Sequence, residues 1–364
     1  MAVELNYSAL DRVLHRLAFA GPSVQLAAAD MERTLFRSAY DRVLGTRPIF
    51  ITSLPRAGTT LMLEVLHRFP SLASHIYRDM PFVLAPVIWS RLSASFRKPQ
   101  ELRERAHGDG VEVGYDSPEA FEEILWRAFW PEKYHETGID LWTASDDRPE
   151  ARAFFAEHMK KIIALRRPER AGDGRYVSKN NANLARLDLI VKMFPDAKVL
   201  VPNRRPLEHA RSLLSQHRRF LEMHRQTPFV RRYMADIGHY EFGALHRPIR
   251  FPGFERLTTG RDPLGLDYWL GYWIAAFEYV LARRQAVVLA SYEDCCLHAE
   301  KVLSKLCERL DIPPEGVLHQ AAALVRDTPS SQSGQVQVDA DLLDRANRLH
   351  STLLGSDAIV GAHH

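Results

Sequence analysis

A doubly wound, mostly parallel α/β sheet with helical insertions capping its ligand edge is the architecture predicted by this 364-residue sequence. Three observations predict it. The short β-branched run Pro48–Ser53 breaks at Leu54–Gly58 and gives way to an apolar helical period from Thr59, the opening unit of a parallel sheet. The same alternation returns at 175–194 and at 198–219. With 46% hydrophobic and 26% charged residues, the chain has a globular composition, which excludes collagen, coiled coil and largely disordered polymers.

In chain order, residues 6–19 and 24–44 carry apolar positions at helical spacing, the second through Val24, Leu26, Ala27, Met31, Leu35, Ala39 and Val43. The run 48–53 is short, apolar and bounded by a turn, so it reads as a strand buried on both faces. The helix after it uses Leu61, Leu63, Val65, Leu66 and Phe69 and stops at Pro70. Arg175–Ser178 is a second strand, followed by the polar turn Lys179–Asn183 and a helix through Leu184, Leu187, Ile190, Val191 and Phe194. Lys198–Val201 is a third. Pro206 suits a first helical position, and its helix is expected to reach about Arg219. Ala286–Ser291 is the fourth strand, with a helix over 297–310. Four strand–turn–helix units fit one sheet, and the inserts at about 75–170 and 220–285 would cover the edge where open α/β sheets place their ligands. The expected organisation is a helical segment over 1–46, an α/β domain over 47–328, and a gate or tail over 329–364.

Lys and Arg total 48 against 45 Asp and Glu, a net charge of +3, too mild to predict a nucleic-acid partner. The charge is uneven: twelve Arg face five acidic residues between Arg204 and Arg261, so an anion is expected to meet part of that stretch and solvent the rest. No run of 18 apolar residues exists to span a membrane. Interleaved charges at the start and only three cysteines, two adjacent at Cys295 and Cys296, predict a cytoplasmic protein without a disulfide framework or zinc site. His209, His217 and His224 recur at loose helical spacing without a carboxylate or Cys partner nearby, so no metal is predicted.

Leu54-Pro-Arg-Ala-Gly-Thr-Thr60 has the ingredients of a phosphate cradle. Gly58 lets the backbone approach, Thr59 and Thr60 open the helix, its unpaired N–H groups lie behind them, and Arg56 adds a cation. The same residues also suit a tight turn with a helix cap. The nucleotide-triphosphatase pattern fails, because position 54 is Leu and no Lys follows Gly58. A second element, Val199 to Ser212, places Arg204 at a strand's carboxyl end and Ser212 two turns into the next helix. A planar fork and a single hydroxyl suit a terminal phosphomonoester better than a magnesium-bound triphosphate.

Taken in order, the strand, the Leu-Pro-Arg-Ala-Gly-Thr-Thr loop, Lys179, Phe194-Pro-Asp-Ala-Lys-Val-Leu-Val, Arg204-x-Pro, Ser212 and Tyr292-Glu-Asp294 resemble the sulfotransferases that use 3′-phosphoadenosine 5′-phosphosulfate (PAPS), especially their bacterial branch. The resemblance spans about 47–310 and implies a P-loop-like nucleotide site. It implies that Arg56, Ala57, Gly58, Thr59 and Thr60 hold the 5′-phosphosulfate, that Arg204 and Ser212 hold the 3′-phosphate, and that Tyr292 lies near the adenine. It further implies in-line sulfuryl transfer to an acceptor hydroxyl or amine, possible without metal, with Arg56 and the N–H groups of 57–60 meeting charge on the leaving phosphate and Lys179 as a second cation.

The sequence departs from the cytosolic branch at the base. Asn181 stands where those enzymes carry His, and an amide does not take a proton near neutral pH. Glu119 and Glu123 are the candidates instead: with Pro118 as a helix start, i and i+4 would share one face, and Trp126, Phe129 and Trp130 offer an aromatic setting that would raise a carboxyl pKa. Acidic residues are equally favoured in any first helical turn. His107 is a weaker candidate. The aromatic run Tyr268–Tyr279 is expected to be core or a subunit interface, which admits a homodimer, with an acceptor pocket as the minority reading. A P-loop-like kinase, using Asp294 for magnesium, and a non-catalytic nucleotide- or polyanion-binding module remain alternatives. The acceptor is not identified by any motif, and Thr328–Gly334 lacks the cytosolic Arg-Lys-Gly gate.

Overall fold

The computed structural model describes residues 9–94, 103–104, 112–113, 117–314, 316–325 and 337–361. His107 and the segment Thr328–Gly334 fall outside them.

Two helices open the described chain, α1 (Ala9–Ala18) and α2 (Pro22–Phe36). The apolar stripe read over 24–44 is not the buried one. Met31 is 51% and Leu35 61% exposed, whereas Gln25, Ala29 and Glu32 face inward. The inward polar groups are paired: Gln25 donates to the carbonyls of Ala18 and Pro81, and Glu32 meets the buried Lys161 ammonium at 3.2 Å. Specific polar partners on the cap override hydrophobic periodicity here.

The first strand, β1 (Ile49–Ile51), is buried throughout and leads into α3 (Thr59–His67). A two-residue strand β2 (Leu72–Ala73) follows, then α4 (Pro86–Ser93) and the antiparallel pair β3 (Arg103–Glu104) and β4 (Glu112–Val113). Next come α5 (Glu123–Phe129), the short pair β5 (Tyr134–His135) and β6 (Gly138–Ile139), and α6 (Pro149–Arg166). The sheet resumes with β7 (Arg175–Lys179), α7 (Leu187–Met193), β8 (Lys198–Asn203) and α8 (Pro206–Gln226). The second insert holds α9 (Pro228–Ile237), α10 (Phe254–Thr258) and α11 (Leu266–Leu281). The chain ends with β9 (Val288–Ser291), α12 (Tyr292–Leu297), α13 (Ala299–Arg309), α14 (Leu318–Ala322), α15 (Ala340–Leu354) and β10 (Ile359–Val360).

Six strands form one sheet in the order β10-β9-β8-β1-β7-β2, and every pairing in it is parallel. Side chains alternate across it, as strand geometry requires. Ile49, Ile51, Val177 and Leu200 pack with α3 and α13 on one face, while Phe50, Tyr176, Val199 and Leu289 pack with α6, α7 and α11 on the other. Burial on both faces is why the strands read as continuous apolar runs. The order reverses at β1, with β7 on one side and β8 on the other. Their carboxyl ends are therefore the expected ligand crevice.

The four predicted strands are present, with β2 and β10 added at the edges. The helix from Pro206 runs seven residues beyond the expected Arg219, to Gln226. The polar turn at 179–183 passes into a 3₁₀ helix over Asn181–Arg186. The expected tail from 329 is corrected for its described part: residues 340–354 form α15, capped by the Asp339 carboxylate and packed on α8 and α11, and Ile359–Val360 extend the sheet.

Candidate active site

Three carboxyl strand ends converge on the loop between β1 and α3. Ser53 Oγ donates to the Pro202 carbonyl at 2.7 Å, and Thr52 Oγ1 to the Asn181 carbonyl at 3.2 Å, so the loop is tied to the ends of both neighbouring strands. Its backbone then turns left-handed twice, at Arg56 (φ 73°) and Gly58 (φ 92°). Gly58 is required for a second reason: a Cβ there would lie 2.5 Å from the Tyr292 ring. Arg56 has no such licence and holds a conformation that costs a side-chain-bearing residue about 1–2 kcal/mol.

The loop and α8 are joined by side chains that chemistry, not sequence distance, brings together. Arg56 Nε donates to Ser212 Oγ at 3.2 Å, and Arg204 donates to the Arg56 carbonyl at 3.1 Å. The Arg204 guanidinium carbon also lies 5.1 Å from the centroid of the Tyr292 ring. Buried His209 donates from Nε2 to the Pro55 carbonyl at 2.8 Å. Burial, opposed by that hydrogen bond, takes its pKa down to about 3, so it is a neutral clamp on the loop. Arg56, Arg204 and Ser212 thus stand side by side at the N-terminus of α3, where helix N–H groups favour an anion.

Next to the loop lies a pocket of about 600 Å³, counted out to open solvent. Lys179, Asn180 and Asn181 line its side at the end of β7, and Leu54 and Pro55 belong to the loop itself. The second insert closes it with Gly238–Glu241, His246, Arg247 and Ile249, and α11 contributes Trp269 and Tyr272. Asn181 joins the two parts: its Oδ1 accepts from Thr59 Oγ1 at 3.1 Å and its Nδ2 donates to Glu241 Oε1 at 3.2 Å. Among the described residues, no group of three or more His, Cys, Asp or Glu is arranged to hold a metal ion.

The sulfotransferase family profile matches residues 48–316, which include the loop, both strands beside it and the pocket walls. The chain belongs to the sulfotransferase family. Its fold is similar to that of sulfotransferase STF9 from Mycobacterium avium, at 13% identity and a TM-score of 0.50 over 99% of this chain and 89% of that one. Sulfotransferase STF1 from Mycobacterium tuberculosis H37Rv is 14% identical, with a TM-score of 0.49 over 96% of this chain and 88% of that one. No curated protein matches the chain in sequence.

In this sulfotransferase the two carboxylates expected to serve as base are not placed for that work. Helix α5 starts at Glu123, and residues 117–121 are not helical. Pro118 bridges to Ile76 as a strand would, which takes Glu119 off the helix, and Glu119 Oε1 accepts from the Ala120 N–H at 2.7 Å. The shared face of i and i+4 does not exist. Glu123 does line the pocket, but both its oxygens are occupied: Arg186 forks onto them at 2.6 and 2.8 Å, Tyr134 donates to one and Asn180 to the other, each at 2.6 Å. Burial pushes its pKa up, and the Arg186 charge and these hydrogen bonds outweigh it, so the carboxyl sits below its ordinary value. The expected raised pKa is thereby corrected. Arg186 is fully buried, with Trp126 and Trp142 rings 4.7 and 4.4 Å from its guanidinium carbon. The aromatic setting stabilises the cation, and the cation holds the carboxylate ionised.

Tyr292 is placed against Gly58 and Arg204, and Lys179 in the pocket wall. The aromatic helix α11 is core through most of its length and wall at Trp269 and Tyr272. Glu241 and His239 also line the pocket. Each is a lone polar residue in an insert without a readable motif, and only the folded cap brings them to the loop.

Proposed function

We propose that this sulfotransferase uses PAPS as its donor and transfers the sulfuryl group to a hydroxyl or amine. The observation that carries the reading is the convergence of Arg56, Arg204 and Ser212 on one helix N-terminus. Two anionic groups of such a donor need two sets of partners. Arg56 and the N–H groups of Ala57, Gly58, Thr59 and Thr60 suit the 5′-phosphosulfate, and Arg204 with Ser212 suits the 3′-phosphate. Tyr292 offers an aromatic face beside them for the nucleoside.

Transfer moves negative charge onto the oxygen bridging sulfur to the leaving phosphate. Arg56 and the loop N–H groups are fixed donors for that charge, held by Ser53, His209 and Asn181 so that little reorganisation accompanies the reaction. Lys179 supplies a second cation from the pocket side. No step requires a metal. A cytoplasmic setting fits the low cysteine content, three residues in 364.

The test is release of adenosine 3′,5′-bisphosphate from PAPS in the presence of a mixed panel of alcohols, phenols, amines and sugars. Release that depends on an acceptor and falls at least a hundredfold in Arg56→Ala supports the reading. Acceptor-dependent release of ADP from magnesium ATP, with no bisphosphate released from PAPS, contradicts it.

A further inference from the structure

The second insert delivers one carboxylate to the reaction side of the pocket. Glu241 is half-buried and lines the pocket beside Lys179, and its Oε1 is the atom that Asn181 joins to Thr59 at the head of the phosphate loop. Only one amide separates this carboxylate from the loop that faces the sulfuryl group. An amide cannot take the proton, whereas a carboxylate held, among the described residues, by one amide donor keeps lone pairs for an incoming hydroxyl.

Its position is fixed by groups that the transfer chemistry does not otherwise use. His246 donates from Nδ1 to the Glu241 carbonyl at 2.7 Å, and its Nε2 pairs with the Tyr268 hydroxyl at 2.8 Å. Burial, with His217 adding to it, takes the His246 pKa down to about 3, so the neutral ring keeps this arrangement. His217 and His224 accept from the backbone N–H groups of Gly243 and Ala244. On the other side Gly238 turns at φ 81°, and a Cβ there would lie 2.5 Å from Glu123 Cγ. The segment 239–244 is thus clamped from α8, α11 and α5.

Leu54, Ala120, Ile139, Ile249 and Trp269 give the pocket an apolar part. An acceptor with one reacting hydroxyl on an apolar body can set that body against these side chains while the hydroxyl meets Glu241. Resting on the donor reading above, we infer that Glu241 is the proton acceptor for a phenol or other apolar alcohol bound in this pocket. The acceptor oxygen uses a lone pair to form the new S–O bond. The S–O bond to the 5′-phosphate breaks and leaves its electron pair on the phosphate oxygen. The hydroxyl proton passes to the Glu241 carboxylate, and its bonding pair stays on the sulfate ester.

The experiment compares wild type, Glu241→Gln, Glu241→Asp and His239→Gln with PAPS and phenol, 4-methoxyphenol, 4-nitrophenol, 1-octanol and glucose. The melting shift given by adenosine 3′,5′-bisphosphate is read in parallel. Wild type is expected to sulfate the phenols or the octanol in preference to glucose. Glu241→Gln is expected to lose kcat by at least a hundredfold, with KM and the bisphosphate shift changed less than threefold. The loss is expected to shrink for 4-nitrophenol, whose proton leaves without help, and to be partial in Glu241→Asp. A merely structural role would impair all acceptors alike and lower the bisphosphate shift. That outcome, a loss in His239→Gln with Glu241→Gln unimpaired, or transfer to glucose alone overturns the inference. Absence of a bisphosphate shift in wild type defeats the donor reading beneath it and is recognised separately.

Discussion

Arg56 and Ser212, 156 residues apart, meet at 3.2 Å where the β1–α3 loop crosses the first turns of α8. The contact draws together the two anion sites that the donor requires. Ser212→Ala removes one phosphate donor and the hydroxyl that orients Arg56. Affinity for adenosine 3′,5′-bisphosphate is expected to fall roughly ten- to a hundredfold, measured by calorimetry, with little change in stability.

Gly58→Ala is expected to abolish donor binding. Its methyl would lie 2.5 Å from the Tyr292 ring, and the left-handed backbone adds about 1–2 kcal/mol. Removing the ring in Tyr292→Ala relieves only the clash, so the double variant is expected to recover stability only in part. Urea unfolding of the three variants checks this.

The Glu123–Arg186 pair makes a stability prediction. Glu123→Ala leaves a buried, unpaired guanidinium and is expected to cost about 3–5 kcal/mol, whereas replacing both partners with Leu and Met is expected to cost less than either single change. The depressed Glu123 pKa gives stability that is complete above the ordinary carboxylate range and is lost as pH falls through the folded-state value. Guanidinium unfolding at pH 7 measures the first effect, and acid titration of wild type against Glu123→Gln the second.

The histidines of the cap act at milder acidity. Burial takes His217 from 6.5 to about 4, with Asp262 opposing and His224 reinforcing the shift, and His246 to about 3. Below pH 6.5 the unfolded chain binds these protons and the folded chain does not. Stability is therefore full above about pH 6.5 and declines toward pH 4. Melting temperatures at pH 7.5 and 5.0 are expected to differ less in His217→Gln than in wild type, because Gln still accepts from Gly243 without titrating.

What was legible in the sequence was local. The strand, the Arg-Ala-Gly-Thr-Thr turn and the Arg204–Ser212 spacing each lie within one strand–turn–helix unit, where periodicity and turn chemistry speak directly. Lys179 was legible for the same reason, at the end of a strand. Glu241 was not, because its meeting with Asn181 depends on how the second insert folds over the sheet. Pro118 suggests a helix start that would align Glu119 with Glu123, whereas the bridge to Ile76 keeps that segment extended. β2 and β10 are two residues each, too short for alternation to be seen. α15 does carry a sequence signal: Leu342, Ala346, Leu349 and Leu353 form its buried stripe behind the Asp339 cap.

The most direct measurement is the melting temperature with adenosine 3′,5′-bisphosphate against ATP plus magnesium. At a hundred times its dissociation constant a ligand adds about 2.7 kcal/mol. The expected result is a rise with the bisphosphate alone that disappears in Arg204→Ala. A rise with magnesium ATP alone, or one that persists in Arg204→Ala, would contradict the assignment of this loop and α8 to a phosphosulfate donor.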